Sequence, residues 1–204
     1  MTSNRGRLQN KRMPSPPTDE SSLCLSCGLC CSGAIFGRVP VEQDDDVAWL
    51  DAAGVALSVN CGEREFKLPC PAHDGRQCQV YASRPAACRD YRCDLLRRVT
   101  GGEIAHVEAL GIIGEAVRLN RNLLQAIRDV APGDSSRMPR ARLLRHFSER
   151  LESASEPEAR RRIANIVVQI LGLDGYLRRN FGDSVLKWTE PGVGPGPRPA
   201  RGSA

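Results

Sequence analysis

Past residue 100 the chain keeps a three- and four-residue beat of apolar side chains, the spacing that gathers them on one face of an α-helix. Ile104, Val107, Leu110, Ile113, Val117, Leu123, Leu124 and Ile127 form the first stripe, which stops at Pro132-Gly133. Thr100-Gly-Gly-Glu103 spells a capping box at its head. Leu143, Leu144, Phe147 and Leu151 predict a second helix. Ser155-Glu-Pro-Glu158, with proline in the permitted first turn, precedes a third stripe of Ile163, Ile166, Val167, Ile170 and Leu171. The expected product is a small helical bundle, and its stripes read as core.

The front half has a different pattern. Within Val39 to Gly54 the residues predict a short helix, capped by Asp44 or a neighbouring acid, burying Val47, Trp49 and Leu50, and stopped at Gly54. The first 20 residues lack apolar periodicity, and the tail from Pro191 alternates proline and glycine. The division expected is a disordered head over 1–20, a cysteine module over 21–98, a helical region over 99–188 and a disordered Pro/Gly tail over 189–204. The fold class expected is mainly α, with an irregular metal-bound module ahead of the bundle.

Cysteine changes the picture most. All nine lie between Cys24 and Cys93. Four open the block as Cys24-x-x-Cys27-x-x-Cys30-Cys31, and Cys61, Cys70, Cys78, Cys88 and Cys93 follow. Thiolate is a soft ligand for zinc and for iron, and a C-x-x-C step lets two sulfurs approach one centre while the backbone turns between them. Cys24, Cys27 and Cys30 with one remote cysteine would satisfy a 4Fe-4S cluster. Gly28 eases the turn. Adjacent side chains point apart, so Cys30 and Cys31 are not expected to serve one small ion, and one centre or two remain open. His73, two residues past Cys70-Pro71, has a spacing that permits imidazole ligation, with a solvent-exposed loop histidine as the alternative; His106 and His146 carry no ligand pattern.

Composition and charge narrow the classes. Hydrophobic residues are 41% and aromatic residues only 4%, so aliphatic packing must supply the core. The net charge of +5 is mostly arginine interleaved with acids, and no basic stripe with stacking aromatics marks a nucleic-acid face. No secretory leader and no run of about 18 apolar residues is found, which gives the expectation of a cytoplasmic protein with no membrane contact. In a reducing compartment a cysteine cluster reads as metal-binding before it reads as a disulfide framework.

The segment Cys24-Leu-Ser-Cys27-Gly28-Leu-Cys30-Cys31, with Cys70 and Cys78-Gln-Val-Tyr81-Ala-Ser-Arg84-Pro85-Ala-Ala-Cys88-Arg89-Asp-Tyr91, resembles the YkgJ-type CxxCxxCC family of zinc- or iron-chelating proteins. The resemblance spans Cys24 to Cys93 and implies chelation by Cys24, Cys27, Cys30, Cys31, Cys70, Cys78 and Cys88. Cys61 and Cys93 lie outside the minimal signature; Cys93 is kept as a metal ligand on its spacing. Arg84 and Arg89 are expected to offset thiolate charge, with Pro85 fixing the turn that presents Cys88. Flagellin lysine methylases carry a related cysteine motif, so an iron-sulfur redox or methyl-transfer enzyme is one alternative. A structural zinc module whose helical half docks a protein partner is another. No G-x-G-x-x-G, P-loop or H-E-x-x-H accompanies the cysteines, and no reaction is assigned.

Overall fold

A computed structural model describes residues 19–60, 62–75, 77–132, 138 and 140–182. Residues 1–18, Cys61 and the Pro/Gly tail lie outside the described residues, and with them the disorder expected of the tail and of most of the head. The elements in chain order are α1 (Asp19–Cys27), β1 (Arg38–Val41), α2 (Val47–Ala52), β2 (Leu57–Asn60), β3 (Glu63–Lys67), a 3-10 turn (Tyr81–Ser83), α3 (Ala86–Asp90), α4 (Asp94–Thr100), α5 (His106–Val130), α6 (Arg140–Ser153) and α7 (Pro157–Phe181). The mainly α class is as expected. The front half is more regular than expected: α1 opens inside the supposed disordered head, and an antiparallel sheet in the order β1-β3-β2 fills part of the supposed irregular module.

Between Val39 and Gly54 only part of the expected helix forms. Val39 and Val41 are buried in alternation with half-buried neighbours and enter β1, pairing with Phe66 and Arg64 of β3. Helix α2 starts at Val47, where the Asp46 carboxylate accepts from the Ala48 and Trp49 amides. Leu50 is buried, but Trp49 is 53% exposed, contrary to expectation, because α2 is too short to turn two faces inward. Strand β2 is exposed along its length and forms the sheet edge.

The bundle is α5, α6 and α7, with α7 packed against both others. The Thr100–Glu103 capping box is not used. Residues through Thr100 belong to α4, and α5 begins at His106 without a side-chain cap. Glu156 precedes α7 without a capping hydrogen bond, and Pro157 occupies the first turn. Ala109, Ile113, Ala116, Leu123 and Ile127 of α5 face Ile163, Ile166, Ile170, Leu173, Leu177 and Phe181 of α7 or the shared core, with Phe147 of α6 fully enclosed. Val107, Leu110 and Leu171 are exposed, so those three members of the sequence stripes do not belong to the core. Each fully buried Leu, Ile or Phe contributes about 1.5–3 kcal/mol relative to exposure.

The core continues from the bundle into the cysteine half without a break at residue 98. Leu23, Leu29, Ile35, Leu50, Phe66, Leu95 and Leu96 join the same buried cluster as Ile113 and Phe181. Helix α1 lies on α5, and α4 lies on α7. At the end of α7, Gly182 has φ +96°, and a Cβ there would collide with the Asp94 carboxylate. This close approach seats the end of the bundle on the first residue of α4, immediately after Cys93.

Candidate metal centre

Helix α1 ends at Cys27 because Gly28 takes φ +61°, a backbone conformation that costs an L side chain about 1–2 kcal/mol. The loop beyond folds back on itself. Ser32 donates its amide to Gly28, and the Ala34 and Ile35 amides both donate to Leu29, whose side chain anchors the loop in the core. Cys27, Cys30 and Cys31 are thereby presented from a tight turn, with Cys24 at the exposed side of α1. The Cys70 amide donates to the Cys31 carbonyl at 2.8 Å, stitching the second cysteine segment to the first. His73 and Cys78 face each other as an isolated antiparallel bridge.

The remaining two sulfurs are carried by helix starts. Cys88 sits in α3, whose first amide, that of Ala86, donates to the buried Asp45 carboxylate at 2.8 Å. The other oxygen of Asp45 accepts from the Glu42 amide at 2.8 Å. Cys93 is the N-cap of α4, its sulfur accepting from the Leu96 amide at 3.4 Å. Asp45 is a site residue that sequence reasoning missed. Its place in the Asp44-Asp45-Asp46 run suggested only a helix cap, which Asp46 provides.

All eight described cysteines line one cavity of about 140 Å³, walled otherwise by apolar side chains including Ile113 and Phe181 of the bundle. None is in a disulfide. The thiols strongly affect one another. Burial, then the neighbouring Cys93 and Cys24, pushes Cys27 up to about 12, the Leu29 amide opposing. Cys30 is raised well above the usual range by burial and then by Cys27, Cys93 and Cys24, with Cys88 the most minor neighbour. Cys93 is raised by burial and by Cys24, against the Leu96 amide. Burial and then Cys70 and Cys78 push Cys88 up to about 12, the Arg84 guanidinium opposing. Cys70 is raised by burial, with Cys78 adding to it. Cys31 donates a hydrogen bond to the Cys78 sulfur, which raises Cys31 and lowers Cys78. The six raised thiols favour the protonated form unless a cation neutralises them, whereas Cys78, lowered to about 6, favours the thiolate.

Two nitrogen donors face the same cavity without a partner. His73 accepts the Gly75 amide on Nδ1 at 3.3 Å, which leaves the proton of the neutral ring on Nε2, and Nε2 is buried and unpaired. It lies against Gly28, where a Cβ would approach it to 2.7 Å. Arg84 stacks its guanidinium on Tyr81 at 3.7 Å, and its buried Nε has no hydrogen-bond partner. Arg84 faces Cys78 and Cys88, as expected of it. Arg89 instead donates to the Arg84 carbonyl and reaches Asp45 at 4.0 Å.

The residues fit a metal centre in kind: soft sulfur donors, a mostly apolar wall and two unpaired N–H groups in the lining of the same cavity. Among the described residues no three Cys, His, Asp or Glu side chains converge closely enough to grip an ion as they stand. Ligation therefore requires sulfurs to swing inward about χ1, the one side-chain torsion that moves a cysteine sulfur. When bound, zinc supplies a closed four-coordinate crosslink, and an iron-sulfur cluster supplies one-electron chemistry.

The fold and this cavity define a mainly helical protein with a thiol-rich front. Residues 23–107 match the family model CxxCxxCC, described as "Putative zinc- or iron-chelating domain", and that stretch is similar to the family. The match begins one residue before Cys24 and runs past α4 into the first turn of α5. Comparison with curated proteins and with solved structures gave no match. Among the described residues no helix is long and apolar enough to cross a membrane.

Proposed function

We propose that the chain is a metalloprotein that holds iron, as an iron-sulfur cluster, or zinc through Cys24, Cys27, Cys30, Cys31, Cys70, Cys78, Cys88 and Cys93. The observation that carries the reading is that these eight thiols line one apolar cavity, which two side chains with buried, unpaired N–H groups, His73 and Arg84, line as well. A mutually repelling thiolate set is favourable only around positive charge, and the family description names zinc or iron. His73 acts in this reading as a donor to sulfur: its Nδ1 is engaged by Gly75, so Nε2 keeps its hydrogen. A cytoplasmic location agrees with unpaired thiols in such number.

The test is anaerobic purification followed by metal and acid-labile sulfide analysis beside an absorption spectrum. Iron with sulfide and broad visible absorption identifies a cluster. Zinc without sulfide identifies a structural crosslink, and preparations free of both metals overturn the reading.

A further inference from the structure

We propose that the cysteines form two separate four-sulfur centres, Cys24, Cys27, Cys30 and Cys93 in one and Cys31, Cys70, Cys78 and Cys88 in the other, divided at the Cys30–Cys31 peptide bond. The inference rests on the metal-binding reading and adds the number and membership of the sites.

The backbone makes the division. Cys24, Cys27 and Cys30 step along α1 and the turn that ends it, and Cys93 joins them from the N-terminus of α4, which packs against α1. Cys31 turns to the other side. Its carbonyl holds the Cys70 amide, and its thiol donates to the Cys78 sulfur. Cys78 is bridged to the His73 strand pair, and Cys88 comes from α3. Side-chain proximity follows the same line: Cys24 and Cys93 neighbour Cys27, whereas Cys70 and Cys78 neighbour Cys88. Across the line, Cys30 neighbours Cys31 in the chain and Cys88 in space. The centres are thus adjacent and share one cavity.

The two are not equivalent. Arg84 faces Cys78 and Cys88, so the second centre has a cation at hand, while His73, bridged to Cys78 through its backbone, lays its ring against Gly28 of the first cysteine turn. The first contains Cys24, the exposed member of the eight, and the cation beside it is Arg97 at Cys93.

Metal is counted in the anaerobically purified full chain and in two paired variants, Cys24→Ser with Cys27→Ser and Cys70→Ser with Cys88→Ser. Each pair is expected to keep about half of the wild-type metal, and the fourfold variant none. Loss of all metal in both pairs means one shared centre, and full retention in either pair means that its cysteines are not ligands; both results overturn the inference. Titration of the metal-stripped wild-type chain with cobalt(II) decides the matter even where a variant fails to fold. Sulfur-to-cobalt absorption is expected to rise to a break at two equivalents, and a break at one overturns the two-centre arrangement. A wild-type chain that binds no metal would instead remove the underlying metal-binding reading.

Discussion

Gly28 carries two constraints at one atom, a left-handed backbone and a missing Cβ under the His73 ring. Gly28→Ala is expected to lower stability by about 2 kcal/mol in denaturant melts, since the backbone conformation alone costs about 1–2 kcal/mol. Adding His73→Ala should recover only the collision and leave the backbone share. The thiols predict a pH effect of definite sign in chelator-treated protein. Cys27 and Cys88 titrate near 12 in the folded chain against an ordinary value of 9.0. Between those values the unfolded chain holds fewer protons than the folded one at these two thiols, so their contribution to stability falls as pH rises above about 9. Denaturation midpoints measured from pH 7 to 10.5 check this, and Cys27→Ala should flatten the decline. At this scale the sequence was informative where chemistry is local. The C-x-x-C steps, the glycine and the Arg84-Pro85 turn declared themselves. Asp45 did not, because its partner Ala86 lies 41 positions away and an amide has no sequence signature.

Among the elements, α3 and α4 are short helices whose value is to hold one sulfur each. Asp45 fixes the start of α3 by accepting the Ala86 amide in a buried setting. Asp45→Ala would strand two amides, those of Ala86 and Glu42, at a cost on the order of 2–4 kcal/mol. Metal content should drop along with thermal stability, while Asp45→Asn, which keeps an acceptor, should be milder on both readouts. The long helices were legible from periodicity, since α6 and α7 cover the stripes that predicted them. The sheet was not. Val39-Pro-Val41 is too short to separate from the apolar start of a helix, and β2 faces solvent throughout and so leaves no apolar alternation to read. Phe66, paired with Val39 on one side and Leu57 on the other, becomes informative only once the pairing is known.

For the whole molecule, the front half adds Leu29, Ile35, Leu50 and Phe66 to one continuous core and sets beside them a cavity lined by thiols. Removing metal is therefore expected to loosen the cysteine loops over 28–35 and 70–80 and to leave α5, α6 and α7 folded. Limited proteolysis with and without chelator should show new cleavage confined to those loops, with helical circular dichroism falling by less than about a quarter. Equal resistance in both states would contradict it. The seam at residue 98, drawn from a change in residue pattern, is crossed by packing from Leu95, Leu96, Ile113 and Phe181. A fragment ending before α5 would uncover those apolar flanks and tend to clump. The cysteine segment is accordingly no portable cassette: grafted onto another scaffold, it would have to bring the outer rods along, or receive substitutes shaped to the same hollow.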